Sequence, residues 1–182
     1  MIKVTETKID GVYIIEPKAF GDNRGWFMES YSKRDLEDAG ISADFVQDNM
    51  SYSAKKGIIR GLHFQKPPMA QAKLLSCIRG KIMDVVVDLR KNSPTYKQWL
   101  SVELSDENKR QIFVPKGLAH GFVTLTDDVV IMYKVDAFYS PECDAGIHFD
   151  DPEIGVEWGV DAPVLSQKDE NLPLLKDADI NF

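Results

Sequence analysis

A histidine flanked by cations is the feature of this sequence that most clearly suggests chemistry. His63 lies in the segment GIIRGLHFQKPPMAQAK (57–73), which also contains Arg60 and Lys73. Because imidazole titrates near neutral pH, a histidine can act as a general base when a second group orients it. A nearby lysine could stabilise negative charge on a substrate oxygen. The segment predicts a base at His63 and an oxyanion-stabilising cation at Lys73, although a lone lysine on a strand more often lies on a solvated face.

Other side chains could take part in the same proton transfers. Tyr133 follows an apolar run, and its phenol could serve as a general acid, although a core tyrosine is the commoner case. Asp169 could orient a histidine, or Ser166 and Asp169 could form a capping pair at a helix start. His120 lies in what reads as a turn before a strand, where a structural role is equally compatible. His148 lies in a polar loop, and we assign it no role.

Strands must position these residues, because apolar patterns of period two dominate the sequence. Short polar turns join the predicted strands, and no alternation of strands and helices indicates a doubly wound sheet. The strands are expected at 10–16, 45–53, 81–89, 99–104, 111–114, 121–125 and 129–135. In a regular strand before the Pro67-Pro68 break, Ile59, Gly61 and His63 would share one face and Arg60 the other.

Helical signals are few and short. Ser32 and Asp35 predict a capping box for a helix that ends at Gly40, and one further turn is expected near Ser166. From Asp150 onward, prolines and glycines predict a wrapping tail. We therefore expect a mainly β fold, a cupin-like jelly-roll barrel with N- and C-terminal extensions and a few short helices, forming one domain over residues 1–182.

Composition narrows the possible partners. The 182 residues carry a net charge of −7, with 43% apolar and 28% charged side chains, which argues against nucleic-acid or membrane partners. Residues 1–6 turn polar where a secretory signal would be apolar, and no apolar run could span a bilayer. Cys77 and Cys143 form no CxxC motif and are expected to be buried thiols in a reducing compartment. These features predict a cytoplasmic protein.

The segments around His63 and His120 resemble the two motifs of the cupin superfamily. GIIRGLH (57–63) is similar to the start of the first motif, and PKGLAH (115–120) to the second. A metal-binding cupin would have a further histidine two residues after His63 and a glutamate beyond it, where this sequence has Gln65 and a proline-rich run. Two imidazoles without a carboxylate make a poor divalent-metal site, so we expect no metal.

From Phe20 to about Asp169 the sequence resembles the dTDP-4-dehydrorhamnose 3,5-epimerase family. Each motif is weak alone, but the set in this order and spacing is specific. The motifs lie at 20–29 (FGDNRGWFME), 47–51 (QDNMS), 60–65 (RGLHFQ), 71–74 (QAKL), 80–90 (GKIMDVVVDLR), 93–99 (SPTYKQW), 115–122 (PKGLAHGF), 139–142 (YSPE), 151–152 (DP) and 166–169 (SQKD).

The resemblance implies a cofactor-free homodimeric epimerase that inverts C3″ and C5″ of dTDP-4-keto-6-deoxy-D-glucose. The 4-keto group acidifies both neighbouring C–H bonds, so one base can serve two deprotonations. By resemblance, His63 removes the protons and Asp169 pairs with its other ring nitrogen. Lys73 would stabilise the enolate oxygen at C4″, and Tyr133 would return a proton from the opposite face.

The resemblance also implies a set of substrate-binding residues. Cations and His120 would hold the sugar or diphosphate, Tyr139 would stack on the base, and Phe27 and Glu29 would bind the nucleotide end across the dimer interface. The full set is Arg24, Phe27, Glu29, Gln47, Asp48, Asn49, Arg60, His120, Tyr139, Asp144 and Lys168. Asp144 departs from the family pattern, in which glutamate is common at this position.

Three other functions remain open at this point. A single-centre epimerase acting at C3″ or C5″ would resemble this chain over most of the fold, but Tyr133 favours double inversion. A metal-dependent cupin oxygenase would need the ligands that Gln65 and the proline-rich run replace. A non-catalytic sugar-binding cupin would be expected to lack His63, Lys73 or Asp169, and all three are present.

Overall fold

The computed structural model describes residues 2–182, in which β-strands predominate. The helical elements are α1 (Lys33–Asp38), α2 (Gln167–Glu170) and a 3-10 turn (Leu175–Asp177). The strands are β1 (Ile2–Glu6), β2 (Tyr13–Pro17), β3 (Ala19–Asp22), β4 (Gly25–Met28), β5 (Gln47–Ser53), β6 (Ile59–Gln65), β7 (Lys73–Arg79), β8 (Lys81–Asp88), β9 (Trp99–Ser105), β10 (Gln111–Val114), β11 (Leu118–Thr124), β12 (Val129–Val135) and β13 (Asp144–Gly146).

Two antiparallel sheets make up the barrel. The six-stranded sheet has the order β1-β2-β10-β7-β12-β5, and the five-stranded sheet has the order β13-β6-β11-β8-β9. Strands β3 and β4 form a separate hairpin. Because most neighbours in each sheet are distant in sequence, the chain crosses repeatedly between the two sheets, as in a jelly roll. The predicted fold class is confirmed.

Apolar side chains that alternate along the strands fill much of the space between the sheets. Leu75, Ile112 and Ile131 come from the six-stranded sheet and pack in one cluster with Val86 and Phe122 of the five-stranded sheet. Burial of these side chains supplies the main stabilisation of such a barrel. The apolar packing fills part of the barrel interior and leaves polar positions of the same strands to line a cavity.

The C-terminal tail, predicted only to wrap around the barrel, packs on the five-stranded sheet. Trp158 and Leu175 join a second buried cluster with Leu62 and Val85. Asp151 is buried and accepts the backbone N–H of Leu175 at 2.6 Å. This packing matters for function because the tail carries α2. No helix within residues 2–182 is long and apolar enough to cross a membrane.

The short helices begin and end where the sequence predicts. Ser32 caps α1 by accepting the backbone N–H of Asp35 at 3.3 Å, and Gly40 follows the helix with φ +82°. Glycine adopts that conformation without a side-chain penalty. The prediction for His120 was wrong, because β11 begins at Leu118 and His120 lies inside the strand. Strands β1, β3 and β13 were not predicted.

The expected alternation along β6 was also wrong, and the reason bears on function. The β6–β11 pairing matches His63 with His120 and Arg60 with Phe122, so two residues of β6 lie opposite Gly121 alone. A bulge of this kind inserts one residue and resets which side chains share a face. His63 and Arg60 therefore line the same cavity instead of opposite faces of the sheet.

The bulge brings two backbones very close together, which predicts the effect of one substitution. A Cβ added at Gly121 would lie 2.8 Å from the Arg60 carbonyl oxygen and 3.1 Å from the Gly61 Cα. We expect Gly121→Ala to lower the free energy of unfolding by about 1–3 kcal/mol, measured by urea denaturation, because neither strand can yield cheaply. Gly21→Ala, whose Cβ would make only an ordinary 3.6 Å contact, is the control. Equal midpoints for the two variants would contradict this packing.

Candidate active site

A cavity of about 270 Å³ lies between the two sheets, and all four predicted catalytic residues line it. Strands β6 and β11 supply one wall, and β5, β7 and β12 supply the other. The tail closes one side through α2. The lining residues are Ser51, Arg60, His63, Lys73, Leu75, His120, Phe122, Ile131, Tyr133, Ser166, Lys168 and Asp169.

His63 and Asp169 form a hydrogen-bonded pair at this cavity. The Nε2–Oδ1 distance is 2.5 Å, and Asp169 is buried while His63 is partly exposed. Burial alone would raise the pKa of Asp169, but the interactions with His63, Ser166 and Lys168 together outweigh it and hold that pKa below its usual range. The ionised carboxylate therefore accepts the Nε2 proton, which leaves Nδ1 of His63 as the basic nitrogen.

Ser166 and Asp169 have both of the roles that the sequence left open. The Ser166 hydroxyl caps α2 by accepting the backbone N–H of Asp169 at 3.1 Å. The Asp169 side chain meanwhile extends to His63. The capping bond therefore fixes the backbone from which the carboxylate reaches the histidine.

Lys73 places a cation near the backbone of His63 in this cavity. Its Nζ lies 3.5 Å from the carbonyl oxygen of His63, at the start of β7. Burial lowers the pKa of Lys73 to about 8, although the charges of Asp84 and Asp144 oppose the shift. The side chain is therefore mostly an ammonium at neutral pH, and it loses its proton within the pH range of an ordinary activity assay.

Tyr133 stands on the wall opposite His63. It lies on β12 of the six-stranded sheet, whereas His63 lies on β6 of the five-stranded sheet, and both side chains line the cavity. Burial raises the pKa of Tyr133, partly offset by the charge of Arg60. The phenol thus keeps its proton at neutral pH and can donate it. A group between the two walls would meet a base on one side and an acid on the other.

Arg60 adds a fixed positive charge beside His63. Its Nε donates to the Ser53 hydroxyl at 3.1 Å, and one Nη donates to the Tyr52 carbonyl oxygen at 2.9 Å. These bonds tie β6 to β5 and orient the guanidinium. Together with Lys73 and Lys168, it gives an acidic protein a cationic cavity suited to an anionic ligand.

A polar network lies at the rim of the cavity. Gln47 donates to the Asn49 side chain at 2.8 Å and accepts the backbone N–H of Tyr139 at 3.2 Å. The Tyr139 hydroxyl donates to Asp144 at 3.2 Å, and Lys168 forms an ion pair with the same carboxylate. Asp144 therefore contacts two of the predicted substrate-binding residues.

Asp48 does not face this cavity. Side chains alternate along β5, so Gln47 and Asn49 point towards the barrel while Asp48 points away. Asp48 forms an ion pair with Lys134 at 2.9 Å on that outer face. Within a single chain, Asp48 does not line the cavity, so the predicted contact between Asp48 and substrate is not formed there.

Three predicted substrate-binding residues lie on the β3–β4 hairpin or directly after it, away from the cavity of their own chain. The Arg24 side chain is 85% exposed and pairs with Asp22 at 2.5 Å. Phe27 is 68% exposed, and Glu29 follows β4. These side chains do not line the same cavity as His63.

Asp84 is a buried charged residue near the site that the sequence reasoning assigned no role. Its Oδ2 lies 2.8 Å from Nε2 of His120, and both side chains are buried. A signal was present, since a carboxylate inside the apolar strand KIMDVVVD is rarely buried unless it is paired. Among residues 2–182, no three His, Cys, Asp or Glu side chains are grouped so that they could hold a metal ion.

Comparison with known proteins gives a consistent result. The family model for dTDP-4-dehydrorhamnose 3,5-epimerase matches residues 6–177. A curated relative of that name from Shigella flexneri is 49% identical over 179 residues, covering 98% of each chain.

Solved structures of two similar proteins have the same fold. The epimerase from Bacillus anthracis, solved with TDP and PPi bound, has a TM-score of 0.95 and 54% identity, covering 96% of this chain and 100% of its own. The Legionella pneumophila 3,5-epimerase, in complex with dTDP-4-keto-L-rhamnose, has a TM-score of 0.94 and 44% identity, covering 98% and 95%. This chain therefore belongs to the dTDP-4-dehydrorhamnose 3,5-epimerase family.

Proposed function

We propose that this protein inverts C3″ and C5″ of dTDP-4-keto-6-deoxy-D-glucose to give dTDP-4-dehydro-L-rhamnose. The observation that carries the proposal is the position of the His63–Asp169 pair opposite Tyr133, with Lys73 in the same cavity. This arrangement places a base, an acid and an oxyanion-stabilising cation around one small volume.

Proton abstraction follows from the charge of these groups. The C4″ carbonyl makes the hydrogens at C3″ and C5″ acidic, and Nδ1 of His63 takes one of them while Asp169 stabilises the resulting imidazolium. The electron pair moves onto the C4″ oxygen, where the Lys73 ammonium balances the new negative charge. Burial of the site strengthens that interaction relative to water. The same base serves C3″ and C5″ because both carbons flank the same carbonyl.

Inversion requires the proton to return from the other face of the sugar. Tyr133, protonated and on the opposite wall, is placed to donate it. A single-centre epimerase is the alternative function. A cavity with a donor only on the side of the base would return the proton with retention, so inversion at either carbon needs the donor that Tyr133 supplies. The family model and the 49% identical relative, both named for 3,5-epimerisation, favour inversion at both carbons.

A homodimer explains the hairpin residues that do not line their own cavity. The exposed hairpin carries Phe20, Trp26 and Phe27 beside Arg24. In a two-fold dimer each hairpin can reach the cavity of the partner subunit, where an arginine and an aromatic ring would bind the diphosphate and the nucleotide. The two buried, unbridged cysteines fit our further proposal of a cytoplasmic location.

His63→Ala tests the assignment of the base. We expect deuterium exchange at both C3″ and C5″, followed by NMR in D2O, to fall by roughly 10²–10⁴-fold, because no second base takes its place. His148→Ala, outside the cavity, is the control and should exchange at the wild-type rate. Near-normal exchange in His63→Ala would refute the assignment.

Tyr133→Phe separates proton loss from inversion. The variant keeps His63 and Lys73, so deuterium should still enter the substrate, while formation of the inverted product falls by about 10²-fold. NMR of the sugar ring reports both quantities in one sample. Normal product formation would show that another group or water is the acid.

Mixing two defective variants tests whether the site is shared between subunits. His63→Ala and the double variant Arg24→Ala/Phe27→Ala should each be nearly inactive. After unfolding and refolding together, half of the dimers would contain one chain of each kind, and each such dimer would hold one intact site. We expect recovery to about a quarter of wild-type activity for a two-fold dimer. No recovery in a mixture shown to contain hybrid dimers would contradict a site shared between subunits.

A further inference from the structure

Asp84 lies inside the barrel, behind the cavity residue His120. Asp84 on β8 lies opposite Phe122 on β11. His120 lies two residues before Phe122 on β11, so the three side chains share one face of the sheet. Phe122 and His120 both line the cavity. Asp84 itself is fully buried, and its Oδ2 accepts a hydrogen bond from Nε2 of His120.

The second oxygen of Asp84 has no hydrogen-bond donor among the residues that the structure describes. A buried carboxylate oxygen without a donor is costly, so its retention calls for a reason. Lys73 offers one through its charge, because the charge of Asp84 acts on the Lys73 ammonium although no hydrogen bond joins the two side chains. The ammonium has three protons and a single long contact, to the His63 carbonyl oxygen at 3.5 Å. An acceptor without a donor and a donor with spare protons thus occupy the same buried region.

We propose that Asp84 is a positioning residue of the epimerase reaction, which holds His120 in the cavity wall by a hydrogen bond and keeps the ammonium of Lys73 available to the C4″ oxygen through its negative charge. This inference rests on the proposed function. Asp84 does not touch the sugar itself. It acts through the two side chains that do.

The charges around Lys73 support this role. The charge of Asp84 raises the pKa of Lys73 against the effect of burial. Burial raises the pKa of Asp84, and the interactions with His120 and Lys73 oppose that rise. Without the carboxylate, Lys73 would lose its proton more readily inside the barrel. Asp84 therefore keeps Lys73 charged at neutral pH.

The pairing of strands places two histidine–aspartate pairs side by side. His63 lies opposite His120 in the β6–β11 ladder, and each uses Nε2 to contact a carboxylate. The His63 pair reaches the open part of the cavity, whereas the His120 pair is buried. This difference assigns proton abstraction to His63 and a place in the buried wall of the cavity to His120.

Several other titratable groups lie near Lys73, and their titration contributes to the pH dependence of activity. Strand β10, which pairs with β7, contributes none, since its residues are Gln111 to Val114. The groups that face Lys73 from the surrounding elements are Arg60 and His63 on β6, Asp84 on β8, His120 on β11, Tyr133 on β12, Asp144 on β13, and Lys168 and Asp169 on α2.

Asp84→Asn tests the inference through the pH dependence of kcat/KM. In the wild type the rate should fall as pH rises through about 8, where Lys73 loses its proton. In Asp84→Asn that fall should move down by about one pH unit, because the charge that holds the Lys73 proton is gone. At pH 7 we expect kcat to drop about tenfold with KM changed less than threefold, because the lost interaction acts on the enolate rather than on the bound ketone.

Asp151→Asn is the matched control, since Asp151 is also buried but contacts only the tail backbone. Its alkaline fall should stay at the wild-type pH. If Asp84→Asn does not fold, two other variants carry the test. Asp84→Glu keeps the negative charge and must keep the wild-type pH profile of kcat/KM, whereas Asp84→Ser removes the charge and must shift the profile.

Each outcome bears on one proposal only. A wild type that neither exchanges nor epimerises this sugar defeats the proposed function. A wild type that does so, with an unshifted alkaline fall in Asp84→Asn, overturns the role of Asp84 alone.

Discussion

The hydrogen bond between His63 and Asp169 is the interaction on which the rest of the site depends. It joins a strand of the five-stranded sheet to a helical turn of the tail, and the two partners are 106 residues apart in sequence. Asp169 can reach the histidine only because Trp158 and Leu175 hold the tail on the outer face of that sheet. Ser166 then fixes the first turn of α2. Long-range packing thus places a carboxylate at Nε2 of His63. The bond to that carboxylate sets the tautomer of the imidazole and leaves Nδ1 as its basic nitrogen.

The jelly roll contributes the second requirement, which is two walls of different chemical character. One wall carries the base and the other carries Tyr133, so acid and base face each other without sharing a strand. The bulge opposite Gly121 adds Arg60 to the wall of the base. A net charge of −7 is compatible with a dianionic diphosphate because the positive charge is concentrated inside this cavity.

The sequence predicted much of this site, and the misses have physical causes. Period-two patterns identified most of the strands, and the capping pattern of Ser32 located α1. The shared face of Arg60 and His63 was missed because a bulge leaves no trace in apolar alternation. His120 was placed in a turn because Pro115 and Gly117 suggest one, although β11 starts directly afterwards. The pairing of Asp84 with His120 depends on strand order, which no local pattern encodes.

One measurement tests the central claim most directly. The wild-type protein is incubated in D2O with dTDP-4-keto-6-deoxy-D-glucose and a downstream reductase that traps the product, and deuterium at each ring carbon is counted by NMR. A base and an acid on opposite walls, serving one carbonyl, predict deuterium at both C3″ and C5″ with inverted configuration at each. Deuterium at a single carbon, or at both with retained configuration, would contradict double inversion by this pair of walls.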